Sequence, residues 1–150
     1  MLIDKSLEFA DAVAIGGSTG RRLIGDVVDL GVARDVGNLG GGMPLYLVVQ
    51  VDTTFTSGGA GTLQLEFVSD AQAAIAVDGS ATEHYTSSVI ALATLVAGYT
   101  LIIPLPLEAP AYERFLGVIG NVGTAAMTAG AVNAFITPDV QKWKAYADAL

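Results

Sequence analysis

The chain has 150 residues, the length of a single domain, and its 15 acidic residues against 7 Lys and Arg give a net charge of −8. So acidic a chain lacks the positive surface that grips nucleic-acid phosphates, and we predict no direct nucleic-acid partner. Because it has no cysteine and one histidine, disulfides, thiolate metal sites and zinc sites built on several histidines of one chain are excluded. Charged residues make up only 15%, against roughly 25% in a typical domain, which indicates that part of the surface meets other protein.

Strands dominate the predicted secondary structure, because hydrophobicity repeats every second residue. Residues 62–68 alternate apolar and polar side chains, and residues 45–51 are apolar almost throughout, as a central strand requires. The glycine-rich stretch 53–61 is predicted to join these two strands as a hairpin. Further strands are predicted at 11–15, 26–30, 74–77, 87–92, 99–104, 114–120 and 130–137.

This pattern predicts the fold class. About nine short strands with turn residues between them are typical of an all-β protein, and we predict a jelly-roll-like antiparallel β-sandwich over residues 1–137. The residues expected to be well buried are Leu47, Val49, Leu63, Leu65, Phe67, Phe115 and Phe135.

The uncharged run 89–107 is long enough to suggest a membrane helix. However, Gly98 lies at a turn signal in its middle, and Pro104 and Pro106 suit an extended chain far better than a helix. We therefore predict two buried strands joined at Gly98 and no membrane partner. The acidic start of the chain does not fit a signal peptide, so no targeting segment is predicted.

Residues 138–150 differ from the rest of the chain and are predicted to form a C-terminal arm or short helix. They contain good helix formers and no glycine, and Val140, Trp143, Ala147 and Leu150 fall on one helical face. A helix this short needs a surface to pack against. That surface is either the chain's own sandwich, which the arm would cap, or a neighbouring subunit.

We predict that this arm contacts another chain. Trp143 and Tyr146 are large amphipathic side chains of the kind enriched where proteins meet. Lys142 and Lys144 place positive charge beside them, in a protein whose net charge is −8.

The candidate motifs for catalysis or ligand binding are weak. The loop 16–22 lacks the spacing and the lysine of a phosphate-binding loop, and 37–43 precedes a strand where a dinucleotide fingerprint would follow one. Three acidic residues, Asp26, Asp29 and Asp35, do not match calcium-loop spacing and are predicted to be solvated turn carboxylates. We predict no catalytic, cofactor-binding or metal-binding residues.

A serine hydrolase would have to use His84, which lies in a polar run that is interpreted as a solvated loop. Glycoside hydrolysis would need a pair of carboxylates from Glu66, Glu108 and Glu113, whose separation the sequence does not give. Stacking aromatics for a sugar are scarce, since aromatic residues make up 7% of the chain. We predict that the protein is not an enzyme.

Several segments are similar to one known family. Residues 27–38 (VVDLGVARDVGN) and 43–55 (MPLYLVVQVDTTF), with 95–106 (LVAGYTLIIPLP) and 113–116 (ERFL), resemble the capsid cement, or decoration, proteins of tailed bacteriophages. The type is the one first described for a Bordetella phage. The resemblance runs from about residue 2 to about residue 141.

The resemblance implies a jelly-roll homodimer that binds the outer surface of an HK97-like capsid and clamps neighbouring major capsid subunits. It implies no catalytic residues and no cofactor, and it places the protein on the virion after assembly in the host cytoplasm. Within the resembling segment, Arg34 and Asp35 are candidate interface residues. For Arg34 we predict a structural or interface ion pair or hydrogen-bond set, with a solvated turn as the alternative. The competing functional class is a carbohydrate-binding β-sandwich or a tail-fibre head domain.

Overall fold

The computed structural model describes residues 5–31, 43–106 and 110–140. Within these ranges the chain forms ten β-strands and two short 3₁₀ helices, Lys5–Leu7 and Leu92–Thr94. The strands are β1 (Glu8–Ala14), β2 (Gly20–Leu23), β3 (Val28–Asp29), β4 (Tyr46–Ser57), β5 (Thr62–Asp70), β6 (Thr82–Thr86), β7 (Ile90–Ala91), β8 (Thr100–Pro104), β9 (Phe115–Gly123) and β10 (Met127–Thr137).

Two antiparallel sheets form a sandwich. The first sheet has the strand order β1-β10-β4-β8, and the second has the order β2-β9-β5-β6. The short strands β3 and β7 extend the second sheet along β9 and β5 respectively. Successive long strands cross from one sheet to the other and return beside earlier strands, which is the connectivity of a jelly roll. The predicted all-β, jelly-roll-like antiparallel sandwich is therefore confirmed.

The predicted hairpin between the strands at 45–51 and 62–68 is wrong. β4 continues to Ser57 and pairs with β10 and β8, whereas β5 lies in the other sheet and pairs with β9, β6 and β7. Threonines favour strands, so the stretch after Val51 extends β4 along β10. Only residues 58–61 remain to cross between the sheets, and they connect two layers of the sandwich.

The main core lies between the two sheets. Leu47 and Val49 of β4 meet Leu63, Leu65 and Phe67 of β5 there, and all five are buried as predicted. Phe135 is buried as well, so six of the seven predictions are confirmed.

The seventh buried-residue prediction, Phe115, is wrong because this side chain is only partly buried. Leu116 and Val118 of β9 enter the main core, so the pleat directs Phe115 to the outward face of the second sheet. There the guanidinium of Arg114 lies 4.8 Å from the centre of its ring.

A second, smaller core covers this outward face. Residues 71–81, in which a strand at 74–77 was predicted, form no strand; Ile75 instead packs against Val68 and Ile119. The Asp70 carboxylate holds the segment by accepting hydrogen bonds from the backbone N–H groups of Gln72 and Ala76, at 2.9 and 3.2 Å. The apolar residues that predicted a strand therefore anchor a covering loop.

Two strands occur where loops were predicted. β2 occupies the last three residues of the loop predicted at 16–22 and continues to Leu23, and β6 occupies the second half of the polar run around His84. Both are edge strands whose side chains are largely polar, so they lack the apolar alternation that identifies a half-buried strand. The second sheet's edge breaks after β2 at Gly25, whose φ is +66° and where a Cβ would lie 2.0 Å from the Phe9 carbonyl oxygen.

The run 89–107 contains two strands with a turn at Gly98, whose φ is +89°, but the strands are not joined as neighbours. β7 lies in the second sheet and β8 in the first, with Leu92–Thr94 between them. Within the described ranges, no helix has the length and apolar character that crossing a bilayer requires. β10 ends at Thr137, and residues 138–140 form no helix; the rest of the predicted arm lies outside the described residues.

Truncating a core side chain should confirm this packing. Leu65 is buried between the sheets, so Leu65→Ala should lower the free energy of unfolding by about 2–5 kcal/mol in urea denaturation. Val89→Ala is the matched control, because that side chain is well exposed, and it should cost no more than about 0.5 kcal/mol. Equal losses in the two variants would contradict the assignment of Leu65 to the core.

Candidate functional site

The interface residues predicted from sequence all lie outside the described residues. They are Arg34, Asp35, Lys142, Trp143, Lys144 and Tyr146. A bidentate arginine–carboxylate pair does occur close to that segment, between Arg114 and Asp29. The two nitrogen–oxygen distances are both 2.8 Å, and the Gly31 N–H adds a third hydrogen bond to the carboxylate at 2.8 Å.

This pair changes the interpretation of Asp29, which was expected to be a solvated turn carboxylate. Arg114, and to a smaller extent the Gly31 N–H, lower the pKa of Asp29 to about 2. Both side chains remain exposed, so the pair fixes β3 beside the start of β9 and adds little to stability. Little in the sequence indicates the ion pair between Asp29 and Arg114, because the two residues are 85 positions apart.

An apolar groove opens at one end of the sandwich, where the chain crosses between the sheets. It has a volume of about 580 Å³, and none of its lining residues is charged. The groove is lined by Thr54, Phe55, Ala60, Gly61, Thr62, Ala91, Leu92, Ala93 and Val96.

Backbone hydrogen bonds hold the two walls of this groove together. The Phe55 N–H donates to the Leu95 carbonyl at 2.9 Å, and the Leu92 N–H donates to the Gly61 carbonyl at 3.2 Å. The Ala97 N–H donates to the Thr54 hydroxyl at 2.9 Å. The groove is therefore part of the folded framework, formed by the end of β4 and the 3₁₀ turn after β7.

One exposed valine lies on the rim of the groove, and a second precedes the lining residue Ala91 by two positions along the chain. Val96 on its rim is 48% exposed, and Val89, just before β7, is 62% exposed. Large exposed aliphatic side chains beside an uncharged groove are typical of surfaces that other proteins cover. This groove with Val89 and Val96, termed here the apolar end, can bind apolar side chains; its lining offers no acid, base or nucleophile beyond threonine hydroxyls.

The open edges of the first sheet are blunted. In β1, register shifts on either side of Ala10 mark β-bulges, and Ala12 has a φ of +48°. At the opposite edge, the N–H groups of Val51 and Leu105 hydrogen-bond across the β4–β8 pair, so the backbone N–H positions of the even-numbered residues point away from β4, toward the open edge. Pro104, the last residue of β8, occupies one of these positions and has no N–H donor, as is common on edge strands.

His84 is not the solvated loop residue that the sequence suggested. Phe67 pairs with Tyr85 while Val68 pairs with Glu83, so His84 is the extra residue of a bulge in β6. Its ring stacks on Tyr112 with centroids 3.9 Å apart and an interplanar angle of 4°. Its Nε2 lies 2.7 Å from the Ser69 hydroxyl oxygen.

This serine–histidine contact lacks the other requirements of a catalytic triad. Ser69 is completely buried, and its oxygen already accepts a hydrogen bond from the Glu113 N–H at 3.0 Å. His84 Nδ1 is buried and has no hydrogen-bond partner within the described part of the chain, whereas a triad needs a carboxylate there. The contact therefore joins β5, β6 and the segment before β9, and it presents no nucleophile to a substrate.

The electrostatics of this cluster follow from its burial. Desolvation lowers the pKa of His84, and the nearby Glu113 carboxylate opposes that shift. Burial also raises the pKa of Tyr112, whose hydroxyl donates to the Pro106 carbonyl at 3.1 Å. The neutral forms of both rings are thus the ones that the fold favours.

The remaining sequence candidates are held by internal contacts. Arg22 donates to the carbonyl oxygens of Gly16 and Ser18, so its own guanidinium fills the loop that resembled a phosphate site. Arg21 pairs with the buried carboxylate of Glu66.

Glu113, the second carboxylate candidate for glycoside hydrolysis, accepts a hydrogen bond from the Thr82 hydroxyl at 2.5 Å. Glu108, the third, lies outside the described residues. No group of three or more histidine and acidic side chains within the described ranges is placed to hold a metal ion.

Comparison with known proteins adds a family match. The model of the family described as Bbp16 matches residues 9–136. The matched region begins in β1 and ends in β10, so it includes both sheets and the apolar end. No curated protein matches this chain.

Stability should depend on the protonation of His84. Because the folded state holds its pKa below the ordinary value near 6.5, the unfolded chain binds the proton first as the pH falls. The free energy of unfolding should therefore decrease as the pH is lowered from 7 through about 6.5 toward 5, and it should recover as the pH is raised.

Urea denaturation at several pH values would measure this effect. His84→Gln is the control, because it removes the titration while keeping a polar side chain in the bulge. Its stability should change less over the same pH range, since Asp29 titrates only near pH 2. Parallel pH profiles for the two proteins would contradict the role assigned to His84.

Proposed function

Because the chain belongs to the Bbp16 family, a family of Bordetella phage proteins, we propose that it is a capsid cement, or decoration, protein. In this proposal it binds the outer surface of an HK97-like capsid and clamps neighbouring major capsid subunits. The observation that carries the proposal is the family match across both sheets, 9–136, joined to the resemblance of residues 27–38 and 43–55 to such cement proteins.

The architecture supports the proposal on physical grounds. A protein that clamps its neighbours must transmit force without deforming, and a close-packed two-sheet core has low compressibility. Blunted edges at β1 and β8 limit uncontrolled strand pairing between free copies. The low content of charge fits a surface that ends up covered by protein.

We assign the capsid contact to the apolar end. A protein interface has an apolar centre and a polar rim, and the uncharged groove with Val89 and Val96 supplies such a centre. The major capsid protein is the proposed partner, and a second copy of this chain is the other partner that the family resemblance implies. The proposed location is the outer surface of the virion, reached after assembly in the host cytoplasm.

A purely structural role also agrees with the chemistry of the side chains. The serine nearest to the single histidine is buried, and the carboxylates Glu66 and Glu113 are both held by internal hydrogen bonds. We therefore propose that the protein works by binding alone, without catalysis or a cofactor.

The alternative, a carbohydrate-binding or tail-fibre domain, has less support. Such domains present aromatic rings on which sugars stack, whereas the large exposed apolar side chains of the described residues are aliphatic. They are Met43, Val77, Val89, Val96, Ile102 and Val140.

Titration of the purified protein onto capsids that lack it would test the proposed function. We expect saturable binding at a fixed ratio of copies to capsid subunits. Binding that does not saturate, or no binding to capsids at all, would contradict the proposal.

Charged substitutions would test the assigned surface. Val96→Glu should weaken capsid binding by at least about tenfold, because it would bury an unpaired carboxylate in the interface. Val77→Glu is the matched control: this valine is also exposed, but it lies on the covering loop 71–81 of the second sheet. It should bind as the original protein does, and equal affinities for all three proteins would exclude the apolar end as the contact.

A further inference from the structure

The outward face of the first sheet carries buried apolar side chains. Leu47 and Val49 of β4 enter the main core, so the residues that alternate with them project to the opposite side of the sheet. Among these, Val48 is 0% exposed and Gln50 is 4% exposed. On β10, Phe135 alternates with the core residues Ala134 and Ile136 and is 3% exposed.

These outward residues form a row across the sheet. Val48 pairs with Phe135 on one side and with Ile102 on the other. Val48 and Phe135 are buried and apolar, yet they belong to neither of the two core clusters. Ile102, at the open edge, is 42% exposed. The row Ile102–Val48–Phe135 is thus covered at its centre and open at its edge.

The second sheet shows how this fold covers an outward face. There the chain's own residues 71–81 fold back, and Ile75 packs on Val68 and Ile119. On the first sheet, the 3₁₀ helix Lys5–Leu7 approaches β10 beside Glu8, the residue paired with Phe135. Val48 and Phe135 are buried within the single chain, so the group that covers them belongs to this chain itself.

The C-terminal segment is in the right place to supply that group. β10 ends at Thr137, which pairs with Tyr46 only two positions from the row. Pro138 follows, and it cannot continue the hydrogen-bonded ladder. Trp143 lies three residues beyond Val140, the last described residue. Its Cα atom can therefore lie up to about 10 Å from the Cα atom of Val140. A chain that turns back after the strand thus has the length to bring this indole over the row.

We propose that residues 141–150 dock on the outward face of their own first sheet, with Trp143 packed over Val48 and Phe135. The spacing that puts Trp143, Ala147 and Leu150 on one helical face provides the apolar side of this contact. This assigns the arm to its own sandwich, the first of the two alternatives left by the sequence, and replaces the prediction of a contact with another chain. It is independent of the proposed capsid function.

Intrinsic fluorescence tests the docking directly, because Trp143 is the only tryptophan in the chain. We expect the folded protein to show blue-shifted emission and protection from iodide quenching, both independent of protein concentration. Phe135→Ala should shift the emission to longer wavelength and increase quenching. Phe115→Ala is the matched control, since it removes a phenylalanine from the outward face of the other sheet, and it should leave the emission unchanged.

If Phe135→Ala does not fold, Ile102→Glu at the exposed edge of the row should give the same red shift in a folded protein. If the emission maximum of the original protein matched that of the unfolded chain, the proposed docking would be overturned. An emission unchanged in both variants would overturn it as well, and would indicate that another segment, such as the N-terminus, covers the row.

The absence of cysteine allows a second measurement that separates the chain's own sheet from a second copy. A double variant, Ile102→Cys with Lys142→Cys, should form a disulfide within one chain on mild oxidation. A mixture of the two single variants should give no disulfide between unlike chains. Disulfides formed mainly between chains, or a blue shift that disappears on dilution, would overturn the proposal in favour of an exchanged arm.

Discussion

The central strands of this domain bury side chains on both of their faces, so the centre of each sheet is shielded from water on both sides. In β5, Leu65 and Phe67 enter the main core while Val68 is buried on the other side. In β4, Leu47 and Val49 enter the same core while Val48 is equally buried on its outward side. Two packed sheets alone cover only their inner faces, and each outer face therefore needs a further layer.

That requirement explains features that otherwise look unrelated. The segment 71–81 forms no strand because its function in the fold is to cover the second sheet, with Ile75 as its anchor and Asp70 as its tether. The outward face of the first sheet has the same need, which the C-terminal segment is proposed to meet. The apolar end is an uncharged surface among the described residues, and for that reason the capsid contact is proposed there.

The sequence predicted best what depends on local alternation. The strand at 62–68 and its buried residues were clear because apolar and polar side chains alternate there without interruption. The features that the sequence did not predict depend on contacts between residues far apart in the chain. β2 and β6 are strands because β9 and β5 pair with them, and Phe115 faces outward because of the register of β9. The false hairpin between β4 and β5 arose because adjacency in sequence does not show that a chain crosses between two sheets.

The same limit applies to the functional residues. His84 looked solvated because its neighbours in sequence are polar, but a bulge turns it against Tyr112 and Ser69, which come from other elements. The apolar end combines the end of β4 with residues about 40 positions later, so no local motif could identify it. The predicted interface residues were chosen by residue type and by resemblance, and they all lie outside the described ranges.

A cryo-electron microscopy reconstruction of capsids decorated with this protein would show where the sandwich binds. We expect density for the sandwich on the outer surface of the shell, with Val89 and Val96 at the apolar end buried against the major capsid protein. Density that places the protein on the tail or a fibre, or that leaves the apolar end exposed to solvent on a decorated shell, would contradict this expectation.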